Sequence, residues 1–156
     1  MKLILTSLIS LTIGFNCLAQ SYNTKSTHAL KNETATTIQS GYDAYKKIAL
    51  NIWDYAELGY KEKKSSALLQ QTLKDNGFTV EAGVAGMPTA FVATYGSGSP
   101  VIGILAEYDA LPGLSQDNSS TKTTMANKPN GHGCGHHLFG TGSVAAGIAL
   151  KKLLES

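Results

Sequence analysis

Residues 131–140, GHGCGHHLFG, place three histidines and a cysteine within six positions: His132, Cys134, His136 and His137. Imidazole and thiolate are the side chains that borderline-soft divalent metals such as zinc prefer. The alternating glycines let the backbone turn tightly enough for neighbouring side chains to share one ion. The residue types and their spacing therefore predict a metal site.

Two other interpretations stay open at this point. Short His/Cys clusters also occur as exposed loop residues, or as a histidine that is hydrogen-bonded inside a core. A lone cysteine with nearby histidines is also typical of protease-like nucleophiles, and in that case Cys134 would be the attacking group.

The elements that would hold these residues begin with a helical stripe from Ile38. Apolar residues recur at three- and four-residue steps as far as Tyr55 or Ala56, which predicts one helix. A second helix is expected from about Ser65 to the Asn76-Gly77 pair, which is typical of a helix end. A third helix is predicted over residues 138–154.

Three short apolar runs indicate strands over residues 78–80, 89–95 and 101–106. The last two flank a glycine-rich turn, which predicts that they form a hairpin. Residues 101–106, VIGILA, show no polar alternation, so both faces of that strand are expected to be buried in the middle of a sheet. The predicted fold is α/β, a three-layer sandwich with a mixed sheet between helices.

Two carboxylates, Glu107 and Asp109, follow the predicted buried strand directly. Ligand sites of open α/β sheets gather at such strand ends, although a solvated strand end has the same composition. Residues 110–133 then show no hydrophobic period, and a connection of that length is usually functional or disordered.

The N-terminal residues 1–20 are typical of a cleaved secretory signal, with Lys2 before an apolar run and a small residue at Ala19. The run covers residues 3–15, whereas a helix needs about 20 residues to cross a membrane, so we expect no membrane span. We expect cleavage near Ala19 and export to the periplasm or the medium. Residues 21–37 contain few large apolar side chains and are predicted to be a flexible lead-in.

The amino-acid composition argues against some classes of function. The 156 residues are 42% hydrophobic and 15% charged, which is an ordinary balance for one globular domain. All 13 basic residues are lysine, so the guanidinium fork that reads guanine edges and clamps phosphates is absent. We therefore expect no nucleic-acid partner. After signal cleavage Cys134 would have no cysteine to pair with, which favours a metal-bound or reactive thiol over a disulfide.

Four motifs, in this order along the chain, resemble the N-terminal part of metallopeptidase family 20. Within that family the resemblance is strongest to the amidohydrolase branch that includes aminobenzoyl-glutamate hydrolase. The motifs cover residues 51–59 (NIWDYAELG), 83–95 (GVAGMPTAFVATY), 104–116 (ILAEYDALPGLSQ) and 131–140. The resemblance extends from about residue 38 to the end, and four ordered motifs are far more specific than one.

The resemblance implies a zinc-peptidase-like catalytic domain that holds two divalent ions, zinc or manganese. It implies hydrolysis of amide bonds in N-acyl amino acids or small peptides, and full-length relatives that are homo- or hetero-oligomers. Matched residue by residue, Cys134 and His136 of the CGH motif correspond to metal ligands. Asp109 matches the catalytic-site carboxylate behind the metal centre, which would orient a ligand.

The chain departs from the family pattern at two places. It has Tyr55-Ala56 where relatives often have His-Pro, and His137 where Asp or Asn usually follows CGH. The resemblance also implies that the general-base glutamate and further ligands come from sequence beyond residue 156. Residues 38–156 are then expected to be an incomplete catalytic domain with at most a partial metal site, inactive by itself. The alternative is a non-catalytic or incomplete metal-binding domain.

Overall fold

A computed structural model describes residues 26–155 of the chain. The predicted signal peptide and the first residues of the lead-in lie outside this range. The described part contains four α-helices and two strands: α1 (Thr27–Ser40), α2 (Tyr42–Tyr55), α3 (Lys63–Asp75), β1 (Thr79–Ala82), β2 (Phe91–Thr94) and α4 (His136–Glu155). None of the helices in residues 26–155 has the length and apolar character needed to cross a membrane.

The segment predicted to be a flexible lead-in, residues 21–37, is helical from Thr27 onward. The hydroxyl of Ser26 accepts a hydrogen bond from the backbone N–H of Ala29, which satisfies one of the free donors of the first turn. No residue of α1 is buried, in agreement with the shortage of large apolar side chains.

The single helix predicted from Ile38 is divided in two at Gly41. The Gly41 N–H donates to the carbonyl of Ile38, and its carbonyl accepts from the N–H of Tyr45, so one glycine ends α1 and begins α2. The Tyr45 ring occupies the place where a Cβ at this position would stand. A periodic apolar stripe continues across such a break, and for that reason periodicity did not reveal it.

Helices α2, α3 and α4 share one apolar core. Its buried members come from all three helices: Ile52, Leu69, Leu73, Val144 and Ile148. Removing an aliphatic side chain of this size from water contributes about 1.5 to 3 kcal/mol. Helix α3 ends at Asp75, directly before the predicted Asn76-Gly77 pair, and Asn76 caps it. At its start the Glu57 carboxylate accepts from the N–H groups of Lys64 and Ser65.

The two strands form an antiparallel hairpin that is not the predicted one. β1 pairs with β2 in the register Thr79↔Thr94 to Ala82↔Phe91. The strands expected at residues 78–80 and 89–95 are therefore confirmed in position, whereas the predicted pairing of residues 89–95 with residues 101–106 is wrong.

Residues 101–106 form no strand and are not buried. The side chains of Val101 and Leu105 are 86% and 74% exposed. A strand that is apolar on both faces needs neighbouring strands and a helix on each side. Within the described residues this segment pairs with no strand, and Ser143 Oγ of α4 donates to the Leu105 carbonyl at 2.6 Å. The described fold is thus mixed α/β, with helices and one small antiparallel sheet.

Candidate metal centre

Backbone hydrogen bonds bring the acidic segment to the start of α4. The Ala110 N–H donates to the Glu57 carbonyl at 2.7 Å. Leu111 and Gly131 exchange two backbone bonds of 2.9 and 3.0 Å, which close the long connection between them at its base. A Cβ at Gly131 would overlap the carbonyl oxygen of Leu114, so this closure requires glycine.

His136, the first residue of α4, lies between the two carboxylates. Its Nδ1 donates to Asp109 Oδ1 at 2.7 Å, and its Nε2 lies 2.9 Å from Glu107 Oε2. The imidazole is 19% exposed, and the Asp109 and Glu107 carboxylates are 32% and 47% exposed. Asp109, predicted to orient a ligand, therefore contacts His136, and Glu107 contacts the second ring nitrogen.

Cys134 lies in the exposed turn that precedes α4. In residues 26–155 no histidine hydrogen-bonds its thiol, which is the contact that a cysteine nucleophile requires of its base. The same residues contain no group of three or more His, Cys, Asp and Glu side chains arranged to hold a metal ion. The structure therefore joins two of the three predicted site residues and leaves the Cys134 side chain free to approach a ligand from solvent.

The other two histidines of the cluster are buried behind this site, against Trp53. The His132 and His137 rings are 5.0 Å apart, and Trp53 packs edge-on against His137 with ring centres 4.8 Å apart. His132 Nε2 donates to the Ile52 carbonyl at 3.0 Å. Within the described residues the Nδ1 atoms of both histidines are buried without a hydrogen-bond partner.

Burial makes both of these imidazoles hard to protonate. Burial, with a smaller contribution from the neighbouring His132, lowers the pKa of His137 from 6.5 to about 4. Burial also lowers the pKa of His132, partly opposed by the hydrogen bond to the Ile52 carbonyl. At neutral pH both rings are neutral. Together with Trp53 they form an uncharged aromatic cluster, which we call the aromatic support.

Sequence reasoning did not single out Trp53. It does not fall on the apolar stripe of α2, and its partners come from a segment about 80 residues further along the chain. The only available signal was its place in the NIWDYAELG motif.

The candidate centre is an open surface site. A cavity of about 280 Å³ is lined by α2 and the loop that follows Leu111, including Trp53 and Gly131, but neither His136 nor Asp109 lines it.

Several curated proteins are similar in sequence to this chain. The chain is 46% identical to a subunit of p-aminobenzoyl-glutamate hydrolase from Escherichia coli K12 over 119 residues, which are 76% of this chain and 25% of that protein. The resemblance to metallopeptidase family 20 is thereby confirmed. The chain is also 37% identical to thermostable carboxypeptidase 1 of Saccharolobus solfataricus over 92 residues, 58% of this chain and 23% of that protein.

The mouse Xaa-Arg dipeptidase is 29% identical over 137 residues, which are 81% of this chain and 28% of that protein. The chain thus spans about a quarter of the length of the curated relatives that it matches. No protein-family model matches the chain.

Proposed function

We propose that this chain carries part of the active site of a metal-dependent amidohydrolase that cleaves the amide bonds of N-acyl amino acids or small peptides. The observation that carries the proposal is the hydrogen bond of 2.7 Å between Asp109 and His136 Nδ1. A carboxylate on one ring nitrogen is the usual support of a histidine that binds metal through the other. The relatives are a hydrolase of p-aminobenzoyl-glutamate, a carboxypeptidase and a dipeptidase by name, and each of these cleaves an amide bond.

The side chains fit a divalent metal in their chemistry. Asp109 holds the proton on Nδ1 of His136, which leaves the Nε2 lone pair for an ion. Cys134 would contribute the second ligand as a thiolate from the exposed turn. A bound zinc or manganese ion would supply Lewis acidity and a hydroxide at neutral pH. Two protein ligands are fewer than a catalytic zinc needs, so the proposal requires further donors.

The chain's own residues supply orientation. Asp109 fixes the plane of the His136 ring through a charge-assisted hydrogen bond. The neutral His132 and His137 rings and Trp53 pack behind the turn, and they exclude water from that side. The donors therefore face solvent, from which an amide substrate would approach.

Single substitutions test this proposal on the purified full-length protein, with bound zinc and manganese measured by elemental analysis and hydrolysis measured on N-acyl amino acids. We expect Cys134→Ala and His136→Ala each to lower the bound metal and abolish hydrolysis. His28→Ala is the matched control, because His28 is an exposed imidazole on α1. Metal content in Cys134→Ala equal to that of the unsubstituted protein would remove Cys134 from the site.

The same assay separates the alternatives. Hydrolysis that survives chelation but is lost on alkylation of the thiol would establish Cys134 as a nucleophile. The second candidate is a non-catalytic or incomplete metal-binding domain, because residues 26–155 bring together fewer than the three protein donors of a catalytic zinc site. Stoichiometric metal without turnover would support that candidate.

The finer fold and the assembly are part of the proposal. In a three-layer sandwich, residues 101–106 would pair with a further strand and bury the apolar side chains that are exposed here. Slow amide hydrogen exchange over residues 101–106 of the purified protein would support this arrangement. One relative is named as a subunit, so we also propose an oligomer, which light scattering on the eluting protein would detect.

A further inference from the structure

Glu107 reaches the metal-facing nitrogen of His136, and the contact rests on a close fit of backbone segments. Gly140, one turn after His136, would place a Cβ only 2.8 Å from the Glu107 carbonyl oxygen, so its lack of a side chain lets the acidic segment lie against α4. Ser143, nearly one turn further along α4, donates to the Leu105 carbonyl at 2.6 Å. These two contacts hold the backbone of residues 105–107 against α4. The Glu107 carboxylate is therefore held beside the His136 imidazole.

From this geometry we propose that Glu107 is a metal ligand beside His136 Nε2, an inference that rests on the proposed metal-dependent function. The Glu107 Oε2 to His136 Nε2 distance is 2.9 Å. Two ligands 2.0 to 2.2 Å from one ion lie about 3.0 Å apart at octahedral angles and about 3.4 Å apart at tetrahedral angles. The two atoms therefore need to separate by only a few tenths of an ångström to admit an ion between them.

The charges agree with this assignment. A carboxylate at Glu107 next to a neutral imidazole at His136 would place one negative charge beside a divalent cation. The two carboxylates have different roles because they contact different nitrogens of the His136 ring. Asp109 occupies Nδ1 and orients His136, whereas Glu107 faces the nitrogen that binds. The carboxylate of Glu107 is 47% exposed, so an ion can reach it from solvent.

A different role for Glu107 predicts the opposite result. If Glu107 were only an ion-pair partner of His136, it would compete with metal for Nε2, and its removal would leave metal affinity unchanged or raise it. If Glu107 is a ligand, Glu107→Gln should weaken binding at least as much as loss of a partner behind the ligand does, about 10- to 100-fold. The sign of the change therefore decides between the two roles.

The experiment is a calorimetric titration of the purified protein with zinc and with manganese, comparing the unsubstituted protein with Glu107→Gln and Glu107→Ala. Glu81→Gln is the matched control, because Glu81 is an exposed glutamate on β1. Circular dichroism checks that each variant is folded. Cobalt substitution gives an independent readout, since loss of a ligand should shift the visible absorption of the bound ion.

The outcomes separate the two proposals. Weaker binding and an altered cobalt spectrum in both Glu107 variants, with Glu81→Gln unchanged, support the assignment. Equal or tighter binding in the folded Glu107 variants overturns it and leaves the metal-dependent function in place. A protein that binds neither metal before substitution overturns the proposed function, and the assignment of Glu107 with it.

Discussion

The buried histidines His132 and His137 should make the protein lose stability between neutral pH and about pH 4. Burial lowers the pKa of His137 from 6.5 to about 4. Above pH 6.5 the ring is neutral in both the folded and the unfolded chain, and its stabilising contribution is fully present. As the pH falls, the unfolded chain takes up a proton that the folded chain refuses until about pH 4, so this contribution is lost.

The size of the loss follows from the pKa difference. Each unit is worth 1.36 kcal/mol, so His137 should reduce the free energy of unfolding by about 2 kcal/mol between neutral pH and pH 5. His132, whose pKa is also lowered by burial, adds to the loss in the same direction. The carboxyl groups with lowered pKa, Asp117 and Glu155, have ordinary values of 3.8 and 4.5 and lose their contributions only at lower pH.

Urea unfolding at neutral pH and near pH 5, with a chelator present so that metal binding does not contribute, measures the loss. Trp53, the only tryptophan, packs on both histidines and reports the transition by its fluorescence. In His137→Asn the acid-induced loss should shrink by about 2 kcal/mol, because the titrating ring is gone. The exposed His28→Asn is the control and should leave the loss unchanged. Equal acid-induced losses in the unsubstituted protein and His137→Asn would refute the argument.

Three further predictions concern the site, the core and the leader. Asp109→Asn should weaken zinc binding about 10- to 100-fold in a calorimetric titration, because Asp109 orients the His136 ring, and unchanged affinity would contradict that role. Leu69→Ala should lower the free energy of unfolding by about 2 to 5 kcal/mol, because Leu69 is fully buried. Leu138→Ala, at a position that is 62% exposed on α4, should lower it by less than about 0.5 kcal/mol. Equal losses in the two variants would count against the described core. The exported protein should begin near Ser21 by mass spectrometry, and a retained Met1 would exclude signal cleavage.

Periodicity and end signals predicted the helices that pack on the core. The apolar stripe located α2, the Asn76-Gly77 pair located the end of α3, and α4 begins within two residues of the predicted start. The strand pairing could not be predicted in the same way. Both residues 78–80 and residues 101–106 have strand composition, and only the three-dimensional path decides which of them meets β2.

Some residues of the candidate site could also be predicted from the sequence, and others could not. His136 and Asp109 could be predicted because the residue types and the family motifs indicate them independently, although they are 27 residues apart. The aromatic support of Trp53, His132 and His137 could not be predicted, because a buried histidine and an exposed ligand look alike in a sequence. Burial and an unpartnered Nδ1 distinguish them only once the fold is known.

Closure of the loop between Leu111 and Gly131 explains why two carboxylates and a histidine meet at the start of α4. The paired backbone bonds of these two residues fix both ends of the connection, so the acidic segment before it and the histidine turn after it must leave the same point in similar directions. Gly140 then admits the acidic backbone against the helix, which carries Glu107 and Asp109 to opposite nitrogens of His136. A side chain at Gly131 or Gly140 would separate these segments, and the carboxylates would lose the imidazole that holds them together.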